Sequence, residues 1–266
     1  MRSRTTILAL TIPLGVVFSA AVPNAQNYDS DPGITALGAS LQDDRALFNA
    51  TVEQPVDDDL LELGRLVAMG GAENGGSGMS CIACHGADGQ GDGAGAFPRL
   101  SGLPGWYMYK QLTDYASGAR PNPVMSGIAQ RLTEAEMEAV SAYYAAMEPE
   151  PVATFSRISP EDLQWGAQLG AVGSAELGIP ACVNCHGPSG RGNPPSVPPL
   201  AGQYANYLAH QLQLWREGVR DNDAMNVMSA IAEKMTDEDM RAVSEYYSRV
   251  LPTGAEIDID IDQDLE

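Results

Sequence analysis

The chain has little cysteine, little histidine and few basic side chains. Four cysteines and three histidines occur in 266 residues, and 15 Lys and Arg stand against 35 Asp and Glu. The shortage of bases gives a formal net charge of −20. A surface of that sign repels nucleic acid and anionic lipid and suits solubility or a basic partner. Long apolar runs are also missing after the first residues, so no later segment matches the ~20 residues of a spanning helix. The glycine-rich stretches are not followed by Lys-Ser/Thr or preceded by a strand pattern, which excludes a phosphate-binding loop.

The apolar run that does exist lies at the start. Met1-Arg2-Ser3-Arg4 precedes a mostly apolar Ile7–Val17, and Ser19-Ala20-Ala21 supplies small residues for cleavage. This pattern predicts a secretory signal peptide over 1–21, cut after Ala21. Losing Arg2 and Arg4 takes the net charge from −20 to −22. Much of the excess sits in two polar segments. Residues 26–60 carry eight acids against Arg45, and residues 252–266 carry six acids and no base. We read 22–56 as an acidic N-terminal extension and 252–266 as an acidic tail, both without a packed core.

All four cysteines fall in two strings, Cys81-Ile82-Ala83-Cys84-His85 and Cys182-Val183-Asn184-Cys185-His186. Cys-x-x-Cys-His is the attachment motif for c-type haem. Two thiols three positions apart on a helical turn reach the two vinyl groups of one porphyrin, and the adjacent His offers a ring nitrogen to the iron. A redox dithiol, a zinc site and a disulfide compete with this reading. A dithiol of the thioredoxin type needs a βαβ setting, and no strand pattern surrounds either string. Zinc held by four cysteines leaves both adjacent histidines unexplained, and a disulfide needs no histidine. Two covalently bound haem c groups are therefore expected, on Cys81, Cys84, Cys182 and Cys185, with His85 and His186 on the irons.

The strings belong to a longer repeat. Leu63-Gly64 aligns with Trp165-Gly166, Pro98-Arg99-Leu100-Ser101-Gly102 with Pro198-Pro199-Leu200-Ala201-Gly202, and Tyr107, Gln111 and Leu112 with Tyr207, Gln211 and Leu212. Met125-Ser126-Gly127-Ile128-Ala129 aligns with Met228-Ser229-Ala230-Ile231-Ala232, Thr133 with Thr236, and Tyr143-Tyr144 with Tyr246-Tyr247. Each copy opens on an amphipathic helix. The first is expected from Asp57 to Met69, with Leu60, Leu63, Leu66 and Val67 as its apolar stripe. The second starts at Ser159-Pro160-Glu161-Asp162. A second helix is expected over Pro104–Ser117, stopped by Gly118, and a last one opens at Thr133 with Glu136 completing a capping box. The expected fold class is all-α: domain 1 over 57–149 and domain 2 over 150–251, the latter including a linker at 150–158.

A carrier haem needs a sixth ligand. Only His210 is spare, mid-helix at the position of Lys110, so bis-His ligation of both irons is excluded. Of eleven methionines, register selects Met125 and Met228, on the irregular loop before the last helix. Met225, three residues away, is the rival in domain 2. Other methionines are read as core filler.

Over roughly 60–250 these motifs resemble the dihaem cytochrome c4 family. The resemblance implies two class I cytochrome c domains related by a pseudo-twofold axis, with Pro98 and Pro198 backing the proximal imidazoles through a carbonyl that accepts the Nδ1–H. It also implies a periplasmic location, and a carrier of single electrons between a quinol-oxidising complex or dehydrogenase and acceptors such as terminal oxidases. The mature chain is expected not to span the membrane or bind nucleic acid. Two other readings remain open. One is a tightly bound cytochrome subunit of a periplasmic dehydrogenase. The other is a dihaem enzyme such as a peroxidase, which needs an open iron that a methionine at each site disfavours.

Overall fold

A computed structural model describes residues 57–76, 79–151 and 158–252. The signal peptide, the N-terminal extension and the acidic tail beyond Pro252 lie outside the described residues, as does 152–157 of the linker.

Domain 1 contains α1 (Asp58–Ala68), α2 (Ile82–His85), α3 (Gly105–Ser117), α4 (Met125–Ala129) and α5 (Glu134–Ala145). Domain 2 repeats them as α6 (Pro160–Ala171), α7 (Val183–His186), α8 (Ala205–Arg216), α9 (Val227–Ala232) and α10 (Asp237–Ser248). It adds one feature that sequence patterning did not indicate. Gly173–Ser174 (β1) and Ile179–Pro180 (β2) pair antiparallel just before Cys182. At two residues each, these strands are too short to show an alternating pattern.

The helix ends are set by local chemistry. Asp57 caps α1 by accepting the Asp59 amide at 3.1 Å. Ser159 caps α6, with Pro160 at its first position. Thr133–Glu136 and Thr236–Asp239 form reciprocal capping boxes on α5 and α10. Gly118 ends α3 in the left-handed conformation, φ 83°, which glycine adopts without a Cβ clash.

In each domain the first helix crosses the last, α1 over α5 and α6 over α10. A glycine makes each crossing possible. A Cβ on Gly64 would stand 2.1 Å from the Ala139 carbonyl oxygen, and one on Gly166 would stand 2.1 Å from that of Ala242. This contact corrects the stripe read for α1. Gly64, Val67 and Ala68 face inward, whereas Leu63 and Leu66 are 37% and 44% exposed. The backbone-to-backbone approach at Gly64 turns the helix so that its small residues, not those two leucines, meet α5. Around each crossing lies a core, Val67, Leu103, Met108, Met137, Val140 and Tyr144 in domain 1. Leu169, Ile179, Met235, Met240, Val243 and Tyr247 form its counterpart.

Candidate functional site

Each Cys-x-x-Cys-His string is a single turn of helix. The His85 amide donates to the Cys81 carbonyl at 2.8 Å, and the His186 amide to the Cys182 carbonyl at 2.8 Å. The turn sets both cysteines and the histidine of each string on the wall of one largely apolar cavity of about 750 Å³. That cavity runs through both domains and is also lined by Met125, Met228, Pro98, Pro198, Tyr144 and Tyr247.

The histidines are oriented from behind. His85 Nδ1 lies 2.9 Å from the Pro98 carbonyl oxygen, and His186 Nδ1 lies 2.7 Å from that of Pro198. A carbonyl only accepts, so the hydrogen is on Nδ1. Burial holds both imidazoles below their ordinary value, against the pull of the proline carbonyl. At neutral pH each ring is uncharged and its Nε2 lone pair is free to bind a metal. Burial also pushes the Cys81 and Cys182 thiols up to about 11. Among the described residues no three His, Cys, Asp or Glu side chains are grouped to hold an ion.

The methionines sit differently from the irregular loop expected of them. Met125 is the first residue of α4 and Met228 the second of α9. Asn122 Oδ1 accepts the Met125 amide at 2.8 Å, and Asp223 Oδ2 accepts the Met228 amide at 2.6 Å. These side chains replace the missing helical partners of a helix start, which is why two short helices form where proline-rich or polar sequence suggested none. Met225 lies in a 3₁₀ turn, is 90% exposed and is not on the cavity wall. His210 is exposed on α8, at the cavity rim.

The cavity also has a polar side, at the contact between the domains, which patterning did not single out. Arg120 donates to Gln111 Oε1 at 2.8 Å in its own domain and to Gln211 Oε1 at 2.6 Å in the other. Arg220 reciprocates, donating to Gln211 Oε1 at 2.8 Å and Gln111 Oε1 at 3.3 Å. The guanidiniums stack on Tyr115 and Trp215, 4.7 and 4.0 Å from the ring centroids, a favourable cation–π geometry. Both arginines are buried, and neither has a carboxylate among the described ion pairs. The repeat does carry the signal: Gln111 and Gln211 share a register with Arg120 and Arg220.

A second cross-domain contact is not repeated. Arg99 donates to the carbonyls of Gly202, Ala201 and Ser101 at 3.1, 3.1 and 2.6 Å. Gln203 brackets its backbone, accepting the Arg99 amide and donating to the Arg99 carbonyl, both at 3.0 Å.

These residues fit a covalently held haem. The thiols and the imidazole share one wall, and a thioether donor lies on the same cavity. The Tyr144 hydroxyl and Trp215 Nε1 are buried on that cavity with no protein partner, as expected where a polar-edged group supplies one.

The cytochrome c family profile matches residues 77–148 and 175–249, and the chain belongs to the cytochrome c family. Within it, this is a cytochrome c4-like electron carrier with two tandem domains and two covalently bound haem c groups. It is 45% identical over 188 residues to the thiosulfate dehydrogenase electron acceptor of Stutzerimonas stutzeri (strain A1501), covering 70% of this chain and 85% of that one. Cytochrome c4 of Azotobacter vinelandii is 36% identical, with 62% and 82% covered. Among solved structures, reduced recombinant cytochrome c4 from Pseudomonas stutzeri superposes with a TM-score of 0.58 at 33% identity, covering 65% of this chain and 97% of that one. Thiosulfate dehydrogenase (TsdBA) from Marichromatium purpuratum gives 0.63 at 39% identity and 71% of this chain. There the match spans only 40% of the larger protein.

Proposed function

We propose that this protein accepts electrons from a periplasmic dehydrogenase that oxidises a reduced sulfur compound, and passes them singly to a respiratory acceptor. One observation carries the reading: the repeated wall of two cysteines, a carbonyl-tethered histidine and a methionine, in a chain whose relatives include electron acceptors of thiosulfate dehydrogenase. Haem supplies the one-electron chemistry, cycling between Fe(III) and Fe(II). The protein supplies the rest. Cys81, Cys84, Cys182 and Cys185 hold the two groups. His85 and His186 present Nε2, oriented by Pro98 and Pro198. Met125 and Met228, on the wall of the same cavity, would supply the second donor to each iron, and a thioether ligand raises the potential relative to histidine. A methionine within reach of each iron would leave neither open for peroxide or sulfur chemistry, which favours a carrier over a dihaem enzyme. Arg120, Arg220 and the Trp215 Nε1 would meet the acidic edge of the porphyrins.

The test is stopped-flow reduction of the purified dihaem protein by thiosulfate dehydrogenase plus thiosulfate, followed in the visible α-band. Reduction of both haems at catalytic enzyme concentrations, with no carbon monoxide shift, is the expected result. Two low-spin haems that this enzyme does not reduce, but a quinol-oxidising complex does, would refute the assigned donor. A carbon monoxide shift would refute the carrier.

A further inference from the structure

The loop joining α8 to α9 differs in kind from its counterpart in domain 1. From Arg220 to Met228 it is three residues longer than from Arg120 to Met125, the extra residues being Ala224, Met225 and Asn226. The insertion is pinned at its base: Asp223 Oδ2 accepts the Met228 amide at 2.6 Å, and the Val227 amide donates to the Ala224 carbonyl. Met225 (φ 58°, ψ 20°) and Asn226 (φ 55°, ψ 33°) both take the left-handed conformation, which asparagine tolerates and a bulky apolar residue rarely adopts. The outcome is a methionine 90% exposed, two residues before Val227 on the cavity wall. Of the four large apolar side chains exposed among the described residues of domain 2, three lie between 219 and 227: Val219, Met225 and Val227. The same stretch carries acids where domain 1 has none, with Glu217, Asp221 and Asp223 in place of Ser117, Pro121 and Pro123. Glu217 and Asp221 are exposed and belong to no described ion pair. The neighbouring bases are taken: Arg220 is buried, and Lys110, which donates to the Asn222 carbonyl at 3.1 Å, is paired with Asp114.

We propose that residues 217–227 form the docking surface for the electron-donating dehydrogenase, with Met225 as the central contact. The occupant is defined by its chemistry: an apolar recess that takes the thioether side chain, rimmed by Lys or Arg that face Glu217 and Asp221. A left-handed methionine in water is unfavourable to the free protein twice, in its backbone and in its exposed apolar surface, and burial against a partner offsets the second. Methionine suits the role because its unbranched, polarizable chain adapts to the surface it meets. Position supports the same reading. Val227 and Met228 both line the cavity, so a partner seated on Met225 lies beside the wall that would carry the haem of domain 2. Domain 1 has neither the insertion nor the acids, and the donor therefore delivers electrons through domain 2. This inference rests on the donor assigned above.

The experiment is stopped-flow reduction of the purified dihaem protein by thiosulfate dehydrogenase plus thiosulfate, at several salt concentrations. Reduction by hydroquinone, a small neutral reductant that needs no protein docking, is the control. Met225→Asn removes the apolar side chain while suiting the left-handed backbone, so the variant should fold at least as well as the parent. Met225→Leu keeps the apolar bulk. In Met225→Asn the second-order constant with the enzyme should fall about tenfold, through KM rather than kcat, as for loss of one interface hot spot. In Met225→Leu it should stay within about twofold of the parent. The double variant Glu217→Gln/Asp221→Asn should lose about fivefold at low salt and show a flatter salt dependence. Hydroquinone rates should be the same throughout. The inference is overturned if Met225→Asn reacts with the enzyme like the parent, or if it slows the hydroquinone reaction equally. It is also overturned if the variant is reduced normally but passes electrons more slowly to a respiratory acceptor, which would seat the acceptor on this surface instead. A parent protein that the enzyme does not reduce at all refutes the assigned donor itself, and with it the named occupant.

Discussion

Gly166→Ala is a one-methyl test of how the last helix is held. In most helix interiors this change stabilises by about 0.5–1 kcal/mol, since alanine has less backbone freedom to lose. Here the sign should reverse. The new Cβ would lie 2.1 Å from the Ala242 carbonyl oxygen, 2.5 Å from its carbon and 3.0 Å from the Val243 nitrogen, all backbone atoms. No rotamer relieves such a contact, so α6 and α10 must separate. Overpacking of this kind costs about 1–3 kcal/mol. For a folded unit of this size that lowers Tm by about 2–4 °C per kcal/mol. Gly127→Ala is the control. Gly127 lies in α4, and nothing stands within 4 Å of where its Cβ would be; it should be neutral or slightly stabilising. The assay is thermal unfolding of the dihaem protein by far-UV circular dichroism. An unchanged Tm in Gly166→Ala, or equal shifts in both variants, would refute the close crossing.

Two further outcomes are expected. Met228→Ala should abolish the methionine-to-iron band of one haem and let that haem bind carbon monoxide, whereas Met225→Ala should leave both unchanged; the reverse pattern in difference spectra would reassign the ligand. Acid should also weaken the protein before its carboxylates titrate. Burial lowers the folded-state values of His85 and His186 from an ordinary value near 6.5. Above ~6.5 neither state binds the protons and stability is intact. As pH falls from there towards the folded values, the unfolded chain takes up protons that the folded chain refuses, and stability is lost. Urea midpoints should be flat between pH 7 and 8 and decline between 6.5 and 5.5; a midpoint that rises over the lower interval contradicts the buried neutral rings.

Much of the site could be read from the sequence because covalent haem chemistry leaves a short, rigid spacing. Cys81 to His85 and Cys182 to His186 are contiguous, so no tertiary knowledge is needed to group them. Repetition did the same for Met125 and Met228, although their place in helices α4 and α9 was hidden: a five- or six-residue helix started by an Asn or Asp side chain has too few turns to show a period. Leu63 and Leu66 misled for a related reason. Periodicity reports which residues are apolar, but the rotation of α1 follows from a glycine that must approach another backbone. Arg99, Arg120 and Arg220 were the least legible. A buried arginine looks like a surface one until its partners, two glutamines and the carbonyls of Ala201 and Gly202 from a distant segment, are brought together.

The shared cavity has a consequence for electron counting. Two sites that open into one poorly screened interior are not electrically independent. Charge added at the wall formed by Cys81 and His85 is felt at the wall formed by Cys182 and His186, and it makes the next addition harder. The protein should therefore fill in two separated steps, and its half-filled form should be favoured over an equal mixture of empty and full molecules. Such a chain stores two equivalents yet meets any partner mostly as a one-equivalent reagent, with the second electron leaving more readily than the first.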